Sequence, residues 1–135
     1  MKSDDKRFIK TMLFVIEKSE FKFSNIEKTI QSLIEERENL IKKLQEMSEE
    51  EFMQYISNFM FGVACKEYYI SIHRRDIELL KDVKTSIEWL VDTYKKNRKL
   101  FNFAIKDYKG YVSIVKEYIK KLVDSIEQKN IKIYV

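Results

Sequence analysis

Hydrophobic positions recur every three or four residues along most of the chain, the spacing of one face of a helix. Over residues 4–21, Phe8, Ile9, Met12, Leu13, Val15 and Ile16 form such a stripe, with Ser3 or Asp4 placed to cap it. Phe21-Lys22-Phe23 interrupts the pattern. Ser24-Asn25-Ile26-Glu27 is then a capping-box sequence, so a second helix is expected to start near Ser24. Its seam, Ile26, Ile30, Leu33, Arg37, Leu40, Leu44 and Met47, alternates steps of four and three, the coiled-coil period. Ile34 and Ile41 widen the apolar face, and Arg37 is the one charged residue on the seam. Its stem is expected to pack while its head snorkels or pairs with a neighbouring Glu.

A second capping-box sequence, Ser48-Glu49-Glu50-Glu51, predicts a third start near Ser48. From there to about Ile72, Phe52, Ile56, Phe59, Met60 and Val63 share one side, while Met53, Tyr55 and Phe61 fall elsewhere. A helix apolar nearly all round belongs inside a bundle or at an oligomer interface, so Met60 and Cys65 are expected to be core material. One helix over residues 49–97 would be about 73 Å long at roughly 1.5 Å per residue, too long for a compact domain of this size. The spacing therefore predicts a turn at His73-Arg74-Arg75-Asp76, with Asp76 capping a fourth helix to about Lys96. Val83, Ile87, Leu90 and Tyr94 would face inward on it. After Lys95-Lys96-Asn97-Arg98-Lys99 comes the strongest periodic signal: Phe101, Ile105, Tyr108, Val112, Val115, Ile119, Leu122 and Ile126, apolar throughout. That predicts one helix over about residues 98–128, with 129–135 as a frayed or extended tail.

Composition narrows the fold class. The chain has 135 residues, no Pro and two Gly, where an average chain would carry about 7 and about 9. The turn chemistry of sandwiches and barrels is missing, as is any glycine-rich phosphate loop. With 44% hydrophobic and 36% charged residues, the chain can build a core. The expectation is an all-α fold: an antiparallel bundle of four or five helices in a single domain, more than two-thirds helical. Two long seams and an all-round apolar third segment also allow a homodimer.

Candidate catalytic and metal chemistry is sparse. His73 is the only histidine and Cys65 the only cysteine, so a structural zinc site, a disulfide or a redox pair within the chain is excluded. Along one helix the two lie about 12 Å apart at roughly 1.5 Å per residue, too far to pair. Glu67 precedes His73 by six positions, which fails the Glu-x-x-His spacing of di-iron bundles. No Arg lies four to six residues before His73, so the Arg–His pair of helical RNA-cleaving bundles of the HEPN type is missing too. The expectations are no catalytic residues, no cofactor and no metal, with His73 a junction residue whose ring is solvated.

The longest uncharged run, Phe52 to Cys65, is too short to span a bilayer. A soluble, cytoplasmic protein is expected. Lys outnumbers Arg, and Ala occurs only at 64 and 104, the signature of an AT-rich microbial or viral genome.

Charge supplies the positive lead. The net charge is +4, but residues 91–135 hold 11 basic and 5 acidic residues against 15 and 17 in the first 90. On a continuous final helix, Lys99, Lys106 and Lys120 share one heptad position and Lys109 and Lys116 another, about 60° away on one flank of the seam. Lys95, Lys96 and Arg98 lie just upstream. A lysine stripe with Asn102, Gly110 and Ser113 between its members could follow a phosphate backbone. The expected function is a non-catalytic binding module that contacts nucleic acid or a nucleoprotein through Lys95, Lys96, Arg98, Lys99, Lys106, Lys109, Lys116 and Lys120. The alternative is a protein-binding accessory, inhibitor or immunity-type factor. It would use the aromatic-rich third segment or the acidic stretch Glu17 to Glu51.

Overall fold

A computed structural model describes the backbone of residues 3–133 and the side chains of residues 5–127. The fold is all-α, with 85% of the residues helical and no strand among the described residues. The helices are α1 (Ser3–Lys18), α2 (Phe23–Glu46), α3 (Glu49–Ser57), α4 (Lys66–Lys96), α5 (Arg98–Ala104) and α6 (Val112–Ile133), with a 3-10 turn at Ile105–Asp107 after α5.

Two of the expected boundaries fall where the capping sequences put them. Ser48 caps α3, its hydroxyl accepting from the Glu51 amide at 3.1 Å. The α2 helix starts one residue before Ser24, so that capping box is not used as such; the Asn25 amide instead donates to the Lys22 carbonyl at 2.9 Å. The α1–α2 turn has no glycine. Glu20 and Phe21 both adopt positive φ, 61° and 57°. The buried Ser19 hydroxyl donates to the Ile16 carbonyl, and the Phe21 amide donates to the same oxygen at 3.3 Å.

Three expectations need correction. The break predicted at residues 73–76 does not exist: α4 runs unbroken through His73 and Asp76. The chain breaks instead between Ser57 and Lys66, around Gly62. There a Cβ would sit 2.6 Å from the Ile56 carbonyl oxygen, so only glycine lets the chain return over the end of α3. The single helix expected over 98–128 is interrupted at residues 105–111, where the helix tightens into a 3-10 turn and Gly110 takes φ +81°. That break raises the helix number above the expected four or five. The expected tail is helical as far as Ile133, since no Gly or Pro follows Gln128 to stop it; residues 134–135 lie outside the described residues.

The chain divides into two compact units, residues 31–80 and residues 1–30 with 81–135. The core of the larger unit is built from the predicted inward stripes. Ile9, Met12, Val15 and Ile16 of α1, Ile26 and Ile30 of α2, and Val83, Ile87 and Leu90 of α4 are buried. Phe101, Ile105, Val115, Ile119 and Leu122 complete it, so the seam of the last segment faces inward on both sides of its break. Lys84 and Glu27 pair at 3.7 Å on its surface.

In the smaller unit Leu44, Phe52, Ile56 and Ile70 form the core cluster, flanked by Ile41, Met47, Tyr55 and Tyr69. The second half of α2 and the first half of α4 run antiparallel. Arg37 meets Asp76 at 3.4 Å, and ten residues on the Met47 carbonyl accepts from Lys66 Nζ. Arg37 behaves as expected of a charged seam residue and also pairs with Glu36 at 3.3 Å. His73 departs from expectation. It is half-buried, its Nδ1 has no hydrogen-bond partner, and burial with the Arg37 charge lowers its pKa while Asp76 acts in the opposite direction.

Candidate anion-binding site

The larger unit carries a cationic cleft, built around the junction between α4 and α5. Asn97 ends α4 and starts α5. Its side chain accepts from the Leu100 amide at 3.0 Å and its amide donates to the Thr93 carbonyl at 2.7 Å. Across this one-residue break Arg98 lies back over the last turn of α4. The guanidinium carbon lies 3.4 Å from the centre of the Tyr94 ring, and Nε donates to the Tyr94 carbonyl at 2.6 Å. Tyr94 is itself fixed by an edge-to-face contact with Phe101, at 5.0 Å between ring centres, and Phe101 is 1% exposed. The Arg98 head is therefore oriented from below by a buried aromatic stack. Such a stacked guanidinium loses little further side-chain freedom when it binds an anion.

Lys116 and Lys120 of α6 line the same open cleft of about 360 Å³, with Asn102 of α5 and the Tyr94 and Phe101 rings. Glu117 also borders it, but that carboxylate pairs with Lys121 at 3.5 Å. Lys121 in turn sits over the Phe21 ring, 4.6 Å from its centre. Three basic side chains from two helices thus line one opening, with an amide side chain beside them. The chemistry such a site offers is the binding of a phosphate or other multivalent oxyanion by charge-assisted hydrogen bonds.

The eight residues expected to form a stripe are divided by the structure. Arg98, Lys116 and Lys120 come together at the cleft. Lys99 lies on α5, Lys106 in the 3-10 turn and Lys109 in the turn before α6, so the heptad positions that aligned them on one helix do not apply across Gly110. Lys95 and Lys96 end α4, and Lys96 is partly neutralised by Asp92 at 3.0 Å. Lys95, Lys99, Lys106, Lys109, Lys116 and Lys120 are exposed and form no ion pair among the described residues.

Sequence reasoning missed Tyr94, whose spacing of four from Arg98 was a readable signal, and Phe103, which stands 73% exposed on α5. It also misplaced the middle of the chain. Met60 and Cys65 are not core material: Met60 is 89% exposed, Cys65 is exposed, and Phe61 stands 88% exposed between them, because α3 ends at Ser57 and all three fall in the segment that links it to α4. Among the described residues no group of His, Cys, Asp and Glu could hold a metal ion, and no helix is long and apolar enough to cross a membrane.

No family model matches the chain, and neither the curated proteins nor the solved structures compared with it include a significant match.

Proposed function

We propose that the protein is a non-catalytic nucleic-acid-binding module that grips phosphates through Arg98, Lys116 and Lys120, with Lys95, Lys99, Lys106 and Lys109 extending the positive field. The observation that carries this reading is that Arg98, Lys116 and Lys120 line one open cleft. It is supported by the stacking of Arg98 on Tyr94 and by the run of lysines that form no ion pair among the described residues. Contacts of this kind go to the backbone, so binding is sequence-tolerant and salt-sensitive. The setting that fits is the cytoplasm of a microbe or of a virus-infected cell, where polyanions are abundant and a lone thiol stays reduced.

The test is fluorescence anisotropy with a labelled polynucleotide over a range of salt. About three phosphate contacts predict a log–log salt slope near −2, which is roughly a 16-fold loss of affinity from about 50 to about 200 mM salt. The Lys116→Glu/Lys120→Glu variant should bind at least about tenfold more weakly, and Arg98→Ala should flatten the slope by close to 1. Lys42→Glu/Lys43→Glu, on exposed positions of α2, is the control and should change little. A parent protein that binds no polynucleotide at low salt ends this reading.

A second reading, a protein-contact module such as an accessory protein, inhibitor or immunity-type factor, is favoured by one observation. Met60 and Phe61 project from an uncharged segment of the smaller unit at nearly full exposure. Large apolar side chains grouped on a surface mark contact sites far more often than singly scattered ones.

A further inference from the structure

The α5 helix is short and buries a single side chain, Phe101. Its remaining surface has an unusual composition. Phe103 is 73% exposed, the most exposed large apolar side chain among the described residues of the larger unit. It makes no ring contact and no cation contact among the described residues, whereas Phe14, also exposed in that unit, has Lys18 over its face at 5.5 Å. Lys99 precedes Phe103 by four positions, which places the two as neighbours on one helix face. Lys106 follows by three, just past the end of α5 in the 3-10 turn. The ring is thus flanked along the chain by two exposed lysines that form no ion pair among the described residues. Asn102, next in sequence, lines the cationic cleft.

A free aromatic face between cations suits one form of polyanion. In a duplex the bases are stacked on one another and present only their edges in the grooves. A ring standing on the convex surface of a helix cannot reach a base face there, and duplex binding would use the lysines alone. An unpaired strand exposes base faces, and its phosphates follow each base at a spacing that flanking lysines can meet. Base–aromatic stacking is also sequence-tolerant, because every base has a π-face.

We infer that the site takes single-stranded nucleic acid, with Phe103 the stacking platform for one unpaired base and Lys99 and Lys106 holding the phosphates on either side. This rests on the nucleic-acid reading above and adds to it the form of the ligand. The contacts involve the base face and the phosphates and no sugar hydroxyl, so DNA and RNA strands should bind alike.

The experiment compares three labelled probes of about 20 units, oligodeoxythymidine, oligouridine and a blunt DNA duplex, at about 50 mM salt. The parent should bind the two single strands equally and more tightly than the duplex. Phe103→Ala should weaken single-strand binding about tenfold and leave duplex binding unchanged. Phe103→Trp should restore it, and Phe103→Leu, which keeps apolar area without a π-face, should not. The ring is exposed, so thermal unfolding of all three variants should match the parent. If Phe103→Ala binds the single strands like the parent while Lys116→Glu/Lys120→Glu does not, the stacking inference is overturned and the phosphate reading stands. If the parent binds none of the probes, both fall.

Discussion

Gly62 and Gly110 are the only glycines, and each serves its turn for a different physical reason. Gly110 needs its backbone freedom: φ is +81° and a Cβ there would meet nothing within 4 Å. Gly110→Ala should therefore cost about 1 kcal/mol through backbone strain alone, with no steric component. Gly62 is the reverse case. An added Cβ would lie 2.6 Å from the Ile56 carbonyl oxygen, a backbone atom that cannot rotate away. Gly62→Ala should cost about 1–3 kcal/mol and shift the segment before α4. Urea denaturation of both variants checks the two values. A Gly110→Asn variant separates the mechanisms further, since Asn tolerates positive φ and should recover much of the loss at 110, whereas no side chain should do so at 62. Ser48 is the third residue on which a boundary turns. Ser48→Ala removes the acceptor for the Glu51 amide and should cost about 1 kcal/mol.

At the scale of elements, the start of α3 could be read from the chain because capping is local chemistry, a hydroxyl and the next turn sufficing, whereas α2 starts one residue before Ser24 without using its capping box. The break around Gly62 was readable in principle, as a glycine inside an apolar run, but periodicity carried across it and placed Met60 and Val63 on a helix that had already ended. Asp76 misled for a tertiary reason. It has the identity of a cap, yet its carboxylate faces Arg37 on the antiparallel α2, a contact no local pattern contains. In the last segment, the inward seam survives on both sides of the 3-10 turn, so the apolar pattern concealed the break while the lysine alignment depended on its absence. The meeting of Arg98 with Lys116 and Lys120 requires α5 and α6 to pack across that break, and only folding reveals it. The same α2–α4 contact carries a pH prediction. The pKa of His73 lies below the usual 6.5, first through burial and then through the Arg37 charge, with Asp76 opposing. As pH falls, the unfolded chain therefore takes up this proton before the folded one. The stability that His73 contributes is present above pH 6.5 and is lost as pH drops through the lower folded value. Urea midpoints of the parent and of His73→Gln, taken from about pH 7.5 to about pH 5, should show the parent losing more stability than the variant over that interval.

For the whole molecule, the feature that composition left unresolved is what covers the apolar segment between α3 and α4. From Phe52 to Cys65 the chain carries no charge, and Phe59, Met60, Phe61 and Val63 are all exposed at its end. Phe59 packs ring against ring with Tyr55 and Tyr69, with centres 5.1–6.0 Å apart, which anchors the start of the exposed segment. Four exposed apolar side chains within five residues of one another are more than singly scattered surface residues account for. A standard interface takes about 800 Å² per partner, with large apolar side chains such as these at its centre. Two copies meeting about a two-fold axis would place uncharged segment against uncharged segment, with no like-charge repulsion to oppose them. The prediction is that the protein self-associates through this segment. Sedimentation velocity over a range of concentration should show the parent moving from 16.4 kDa toward twice that mass. Met60→Ser/Phe61→Ser should remain at the monomer mass at every concentration. Both side chains are almost fully exposed, so the variant should unfold at the parent's urea midpoint, and loss of association with an unchanged midpoint is the signature sought. A parent that stays monomeric at the highest concentration removes the homodimer and leaves the segment to a partner of different sequence. Polynucleotide binding by the serine variant should be unaffected in either case, because none of the cations at the cleft belongs to this segment.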